Sequence, residues 1–319
     1  MSARRVLVTG GAGFIGSHVA DAYLARGDEV WIIDDLSSGR EDNLPAGARF
    51  IELGIGDRGV DELFQEVGGF DLINHHAAQI DVRHSVADPR HDAAINIDGL
   101  LNLLECARKY GTERFIFVSS GGVVYGEPEV RPTPETAPKL PMSPYGVSKL
   151  TAEYYLAYYQ QIHGLEYVAL RYSNVYGPRQ DPFGEAGVVA IFSTRLLDQE
   201  PLTIYGDGEQ TRDYIYVGDV VSANILLSEQ EFGSFATLDD RAFNVGTGIE
   251  TSVNELARTL MQSVGTSVDL IYADPRPGEL RHSALETKKL REIGWEPETS
   301  LLDGLAATYE HIAGERVSR

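Results

Sequence analysis

A single cysteine, Cys106, stands in the 319 residues of this chain. One thiol excludes an internal disulfide and a cysteine-based metal cluster, and its setting between Leu103, Leu104 and Ala107 predicts a small buried helix residue. Lysine is nearly as scarce. Lys109, Lys139, Lys149, Lys288 and Lys289 are the five lysines among 27 basic residues, against 48 acidic ones, and the formal net charge is -21. That field repels polyanions, which argues against nucleic acid or an anionic membrane as partner; a phosphate-bearing ligand would need a local cluster of arginines. So acidic and lysine-poor a chain fits adaptation to high salt, and equally an arginine-rich coding bias. Long apolar runs are absent too: none approaches the roughly 20 residues that span a bilayer. The chain start leads directly into a strand without a signal-peptide pattern, so the expectation is a cytoplasmic protein.

What is present is an alternation. Short apolar runs at 5–9, 30–34, 50–52, 72–75, 115–119 and 167–171 predict strands, and amphipathic segments beginning near Gly13, Val60, Ala93 and Ser148 predict helices between them. Five of these strands joined by right-handed crossovers make an α/β fold, a doubly wound parallel Rossmann sheet. Beyond Arg171 the rhythm gives way to loops rich in glycine and proline, which predicts a smaller C-terminal α/β substrate domain. The segment with Pro132, Pro134, Pro138 and Pro141 reads as a surface loop, ordered or mobile, and a candidate lid.

Gly10, Gly13 and Gly16 form G-x-x-G-x-x-G at a strand-turn-helix junction that also carries Phe14 and Ile15. Glycines there allow a tight turn and let backbone N–H groups approach a pyrophosphate, which the helix dipole attracts. The motif gains force from Asp34 at the end of the second strand, about 20 residues on, where a carboxylate accepts the adenosine ribose hydroxyls and repels the extra phosphate of NADP. The expected cofactor is NAD, with Asp35 beside the ribose or solvating the loop.

Tyr145 and Lys149 stand four residues apart near a helix start and so share a face. A phenol ionises near pH 10, and a neighbouring ammonium together with a positive nicotinamide brings it toward working pH. His75 and His76 lack a third ligand at metal spacing, so packing beside the cofactor is expected of them and no metal site.

With the segments from Val8 to His18, His76 to Gln79, Ser119 to Gly126, Leu170 to Pro178 and Arg212 to Val217, these motifs make the chain resemble the extended short-chain dehydrogenase/reductase family, and within it the NAD-dependent sugar-nucleotide epimerases. The resemblance covers nearly the whole chain. It implies 4-epimerisation of a UDP-hexose through a transient 4-keto sugar, Tyr145 taking the hydroxyl proton and Lys149 holding the nicotinamide ribose. It also implies a cofactor domain over residues 1–173 with about 212–246, and a nucleotide-sugar domain over 174–211 and 247–319. Further cofactor contacts implied are Ile55, Ala77, Ala78, Asn96, Ser119 and Tyr172. Substrate contacts implied are Gln79, Asn174, Val188, Tyr205 against uracil, and Arg212 and Arg276 on the diphosphate; Arg179 is a weaker candidate.

Two positions depart from the family. Gly121 replaces the usual hydroxyl residue four before Tyr125, leaving Ser120 as its substitute, and Gly54 replaces an aspartate that contacts adenine, so looser adenine recognition is expected. Ser283, five residues after Gly278, is small where the family admits N-acetylated sugars. The rival readings are a nucleotide-sugar 4,6-dehydratase or decarboxylating relative, a UDP-glucuronate 4-epimerase, and a catalytically silent NAD-binding regulator. Gly121, Gly122, Val123 and Val124 hold no carboxylate to expel a C6 hydroxyl, which disfavours the first. Apolar character on more than one face, at Leu100, Leu101, Leu103 and Leu104 and again at Tyr154, Tyr155, Leu156, Tyr158 and Tyr159, predicts a homodimer, in the family through a four-helix bundle.

Overall fold

In the first apolar run Val6, Leu7 and Val8 are fully buried, as a strand covered on both faces requires. The computed structural model describes residues 3–182, 187–275 and 280–317. Six strands come in sequence: β1 (Arg5–Thr9), β2 (Glu29–Asp34), β3 (Arg49–Glu52), β4 (Leu72–His75), β5 (Arg114–Ser120) and β6 (Glu166–Tyr172). Then follow β7 (Asn174–Tyr176), β8 (Leu202–Tyr205), β9 (Thr211–Arg212), β10 (Tyr214–Tyr216), β11 (Ala242–Val245), β12 (Thr251–Ser252) and β13 (Leu270–Ala273). The main sheet has seven strands in the order β11-β6-β5-β4-β1-β2-β3, with β1 parallel to β2 and β4, β2 to β3, and β4 to β5. The chain winds outward from β1 to β3, returns across β1 to β4, and winds the other way. This is the doubly wound Rossmann sheet, with its switch point where Thr9 and His75 stand side by side.

The helices are α1 (Phe14–Ala25), α2 (Gly59–Val67), α3 (Val82–Ala87), α4 (Pro89–Ala93), α5 (Leu100–Tyr110), α6 (Gly121–Val124) and α7 (Pro144–His163). Beyond them lie α8 (Val188–Leu197), α9 (Val217–Glu229), α10 (Val253–Val264), α11 (Lys288–Glu292) and α12 (Leu301–Val317). The segment expected to start one helix near Ala93 holds α3 and α4, each capped by an aspartate side chain (Asp81 and Asp88), then a π-helical turn over Ala94–Gly99 that runs into α5.

Two compact units result. The first comprises Met1–Gly126, Pro138–Arg171 and Val221–Phe243. Its core packs Leu7, Trp31, Ile33, Phe64, Phe70 and Ile73 against Leu103, Leu104 and Leu156, with Cys106 buried and its thiol pushed up to about 11 by burial. The second comprises Glu127–Ala137, Tyr172–Val220 and Asn244–Arg319, and its core gathers Phe192, Leu196, Leu202, Ile204, Leu256, Leu260 and Leu305. No described helix is long and apolar enough to cross a membrane.

The first part of the proline-rich segment takes the ordered alternative. Thr133 donates its N–H to Ala284 O at 2.8 Å and accepts one from Glu286 at 2.9 Å, and Glu135 accepts the Asn244 N–H at 2.9 Å. Thr133 and Glu135 are both buried, so Glu127–Ala137 is an ordered part of the second unit, whereas Leu140 and Met142 beyond it are exposed.

Candidate functional site

The turn after β1 brings backbone where side chains do not fit. Gly10 has φ +68°, and a Cβ there would lie 2.6 Å from the Ala77 nitrogen; at Gly16 it would overlap the Gly10 carbonyl oxygen. Gly13 caps α1 with no side-chain bond and no acidic residue stands in the first turn, so the N–H groups of Phe14, Ile15 and Gly16 face outward without helical partners. The arrangement suits a pyrophosphate. Ala77 is held by Thr9, whose hydroxyl accepts its N–H at 3.2 Å; Ala78 follows at the same strand end.

Asp34 closes β2 and is nearly buried. It accepts the Ala12 N–H at 3.0 Å and the Leu36 N–H at 2.9 Å, one on each oxygen. Burial raises its carboxyl above the ordinary range while the two N–H bonds pull it down. Each oxygen keeps a lone pair for a ribose hydroxyl. Asp35 bonds the Ser37 N–H and hydroxyl at 3.0 and 2.5 Å and so serves the loop. Gly54 donates its N–H to Asp57 at 2.9 Å, and Asn102 fixes the Ile55 carbonyl at 2.8 Å, leaving the adenine end without a free carboxylate from the Gly54 turn.

Ser143 caps α7 by accepting the Gly146 N–H at 3.2 Å, and Pro144 starts it, which places Tyr145 and Lys149 one turn apart on one face. Lys149 is buried. Its Nζ donates to Val118 O at 2.9 Å and lies 5.0 Å from the Phe117 ring centre and 5.7 Å from that of Tyr145. Burial pushes its ammonium down to about 8, opposed by the charge of Asp92. His75 shares a 2.7 Å hydrogen bond with Thr9 and stacks on Phe117. The nitrogens of His76 are buried with no hydrogen-bond partner among the described residues, and burial followed by the Lys149 charge brings it down to about 3. Both imidazoles are therefore neutral packing groups.

Ser119 and Ser120 divide their work. Ser119 donates its hydroxyl to Glu153 at 2.6 Å, which fixes its oxygen and leaves it able to accept a further bond. Ser120 precedes α6 and its side chain makes no capping bond. The Gln79 Nε2 donates to Asp92 at 3.1 Å and to Asp81 O at 3.1 Å, so in this structure its amide N–H groups shape the turn. Asn96 clasps that turn, accepting the Gln79 N–H at 3.0 Å and donating to Gln79 O at 2.9 Å. Sequence reasoning missed Asp92, Glu153 and Arg171; the Tyr145, Lys149, Glu153 spacing of four and four was the available signal for one of them.

In the second unit, Tyr172 is buried and Asn174 is exposed at the start of β7, paired with Tyr214. Arg212, two residues earlier, donates to Thr211 O at 2.7 Å, and the Ser283 N–H bonds the same carbonyl at 3.2 Å, which brings Ser283 beside Arg212. Val188 opens α8 against the unit's core, and Tyr205 ends β8 half-exposed, its carbonyl held by Gln210 at 2.9 Å. Arg179 takes a left-handed φ of 67° in its loop. Arg276 and Gly278 lie outside the described residues.

Residues 6–246 match the sequence profile described as the NAD dependent epimerase/dehydratase family. A protein of Methanocaldococcus jannaschii described as a putative UDP-glucose 4-epimerase is 45% identical over 302 residues, covering 94% of this chain and 95% of that one. The crystal structure of a Thermotoga maritima UDP-glucose 4-epimerase with UDP-glucose superposes with a TM-score of 0.93 at 47% identity, covering 98% of this chain and 99% of that one. The Thermus thermophilus UDP-glucose 4-epimerase in complex with NAD gives 0.89 at 45% identity, covering 97% and 99%. The glycine turn, the uncapped helix start and the buried Asp34 fit NAD, which is the cofactor here. With fold, cradle and near-full-length likeness in agreement, the chain belongs to the NAD dependent epimerase/dehydratase family.

Proposed function

We propose that this chain is an isomerase that interconverts UDP-glucose and UDP-galactose by inversion at C4. The observation that carries the proposal is the pairing of Tyr145 with the buried Lys149 on one face of α7, in the same unit as a glycine cradle suited to NAD. Likeness to UDP-glucose 4-epimerases over nearly the whole chain supports it. Bound NAD supplies a reversible acceptor for the C4 hydride. Tyr145 removes the proton from the 4-hydroxyl and returns it after the sugar has turned its other face. Lys149 holds the nicotinamide ribose and, as an ammonium, favours the phenolate. Ser120 is the hydroxyl that orients the reacting oxygen.

Arg212, with Arg276, neutralises the diphosphate that an acidic protein must meet with local positive charge. Asn174 donates to it, Tyr205 packs on uracil, and Val188 bounds the pocket. A small side chain at Ser283, beside Arg212, leaves room for N-acetylated hexoses. Helix α6 carries no acid, which favours epimerisation over loss of a C6 hydroxyl.

The assembly we propose is a homodimer through α7, paired with α5 of each copy in a four-helix bundle. Val147, Tyr154, Tyr158 and Ile162 lie exposed along α7, whereas Leu100, Leu103 and Leu104 of α5 and Leu156 and Tyr159 of α7 are spent in the unit's own core, so α7 supplies the apolar outer face. A cytoplasmic setting belongs to the same reading and agrees with a buried free thiol at Cys106. The test is turnover of a panel of UDP-sugars: UDP-galactose gives UDP-glucose with no net NADH. A keto-deoxy product, exclusive turnover of UDP-glucuronate, or a silent protein overturns the assignment.

A further inference from the structure

Asp92, at the end of α4, is fully buried, and three donors converge on its two oxygens. Gln79 Nε2 and Asn96 Nδ2 reach Oδ1 at 3.1 and 3.0 Å, and the Ser148 hydroxyl reaches Oδ2 at 2.6 Å. The two amide N–H groups share one carboxylate oxygen and the hydroxyl takes the other. Among the described residues no cation makes an ion pair with Asp92, so its charge is balanced by hydrogen bonds alone and remains available to whatever lies beyond them. Ser148 directly precedes Lys149 in α7.

We propose that Asp92 is the positioning residue of this site, a buried carboxylate that ties the Gln79 turn, the Asn96 helical turn and the start of α7 together and acts on Lys149 as its countercharge. The inference rests on the epimerase reading for its catalytic meaning, but not for its electrostatics. The groups found against Lys149 are the Val118 carbonyl and the Phe117 and Tyr145 rings, the last neutral until its phenol ionises, and burial keeps the imidazoles of His75 and His76 uncharged. Glu153, one turn further along α7, is neutralised by Arg171. Through its bond to Ser148, the residue before Lys149, Asp92 brings a carboxylate to this turn of α7, where a negative charge opposes the effect of burial on the ammonium.

The test uses the intact, cofactor-loaded protein. With five lysines in the chain, carbon-13 at lysine Cε resolves few resonances, and that of Lys149 is assigned by its loss in Lys149→Met. In Asp92→Asn the Lys149 titration moves down by about one pH unit or more, the loss expected of a nearby opposite charge, and the alkaline limb of kcat/KM moves with it. An unshifted Lys149 titration in a folded Asp92→Asn protein overturns the proposal. A shifted titration in a protein that turns over no UDP-sugar leaves the proposal standing and sinks the epimerase reading instead. Ser148→Ala provides the second arm should Asp92→Asn not fold: it loosens the helix contact and keeps the charge. An undiminished Lys149 midpoint supports the countercharge, and a fall of one pH unit there shows that packing, not Asp92, sets it.

Discussion

Glu153 takes the Ser119 hydroxyl at 2.6 Å and, on the same carboxylate, the Arg171 guanidinium at 3.0 and 2.6 Å. Strand β5, strand β6 and helix α7 thereby meet on one buried acid. Arg171 continues to the Tyr125 hydroxyl at 3.0 Å and to Asp239 at 3.2 Å, and Asp239 is in turn paired with Lys139. Removing the arginine leaves the buried Glu153 without its countercharge. Arg171→Met is expected to lower stability by about 3–5 kcal/mol, read in a urea melt followed by tryptophan fluorescence. Arg171→Met combined with Glu153→Leu recovers a large part of that loss, because no lone charge stays buried. Additive losses in the double variant would refute the account.

Gly10 combines a left-handed φ with a Cβ direction blocked by the Ala77 backbone. Gly10→Ala carries a backbone cost of about 1–2 kcal/mol and pushes the cradle open where the pyrophosphate needs it closed. The purified variant is expected to hold less than about a tenth of the NAD per chain that the unaltered protein holds, which requires a loss of at least roughly 1.4 kcal/mol of affinity. Acid release of nucleotide, followed by enzymatic assay of the extract, measures it.

The local parts of this site were legible in the sequence because their geometry is local. Three glycines and Asp34 announce a turn and a strand end, Tyr145 and Lys149 are one helical turn apart, and six strands fall within about a residue of their expected bounds. What depends on distant partners was not. The bond of Ser119 to Glu153 was hidden because Glu153 lies 34 residues away and Arg171 a further 18 beyond that. The bond of the Gln79 amide to Asp92, 13 residues on, was equally invisible. Strand β11 was missed because four apolar-flanked residues signal little until β6 lies beside them. Whether the proline-rich segment is ordered could not be read locally, because the strand-like pairing of Thr133 with Leu285 spans half the chain.

Tyr145→Phe removes the proposed proton acceptor and leaves the ring that flanks Lys149. It is expected to lower kcat by about 100- to 10,000-fold with KM within a small factor, as loss of a positioned acid-base group does. Ser120→Ala tests the substitute for the missing hydroxyl at Gly121 and is expected to cost about tenfold, the worth of one hydrogen bond at the reacting oxygen. Initial rates with UDP-galactose separate the cases: full turnover in Ser120→Ala assigns orientation to another group, and appreciable turnover in Tyr145→Phe removes the phenol from the chemistry.

Lys149 links activity to pH and stability in opposite directions. Its folded-state ammonium is pushed down to about 8, below the 10.5 of a free lysine. Between these values the unfolded chain binds a proton that the folded one releases, so the lysine's contribution to stability rises with pH across that window. At pH 7 the same lysine is charged, buried and costly, and only there does it support the phenolate. Lys149→Met is therefore expected to abolish turnover while gaining stability relative to the unaltered protein below pH 8. That gain should shrink steadily from pH 8 to 10. Thermal melts of both proteins at several pH values give the difference directly, and a gap that does not change between pH 7 and 10 would mean that Lys149 keeps an ordinary lysine pKa in the fold.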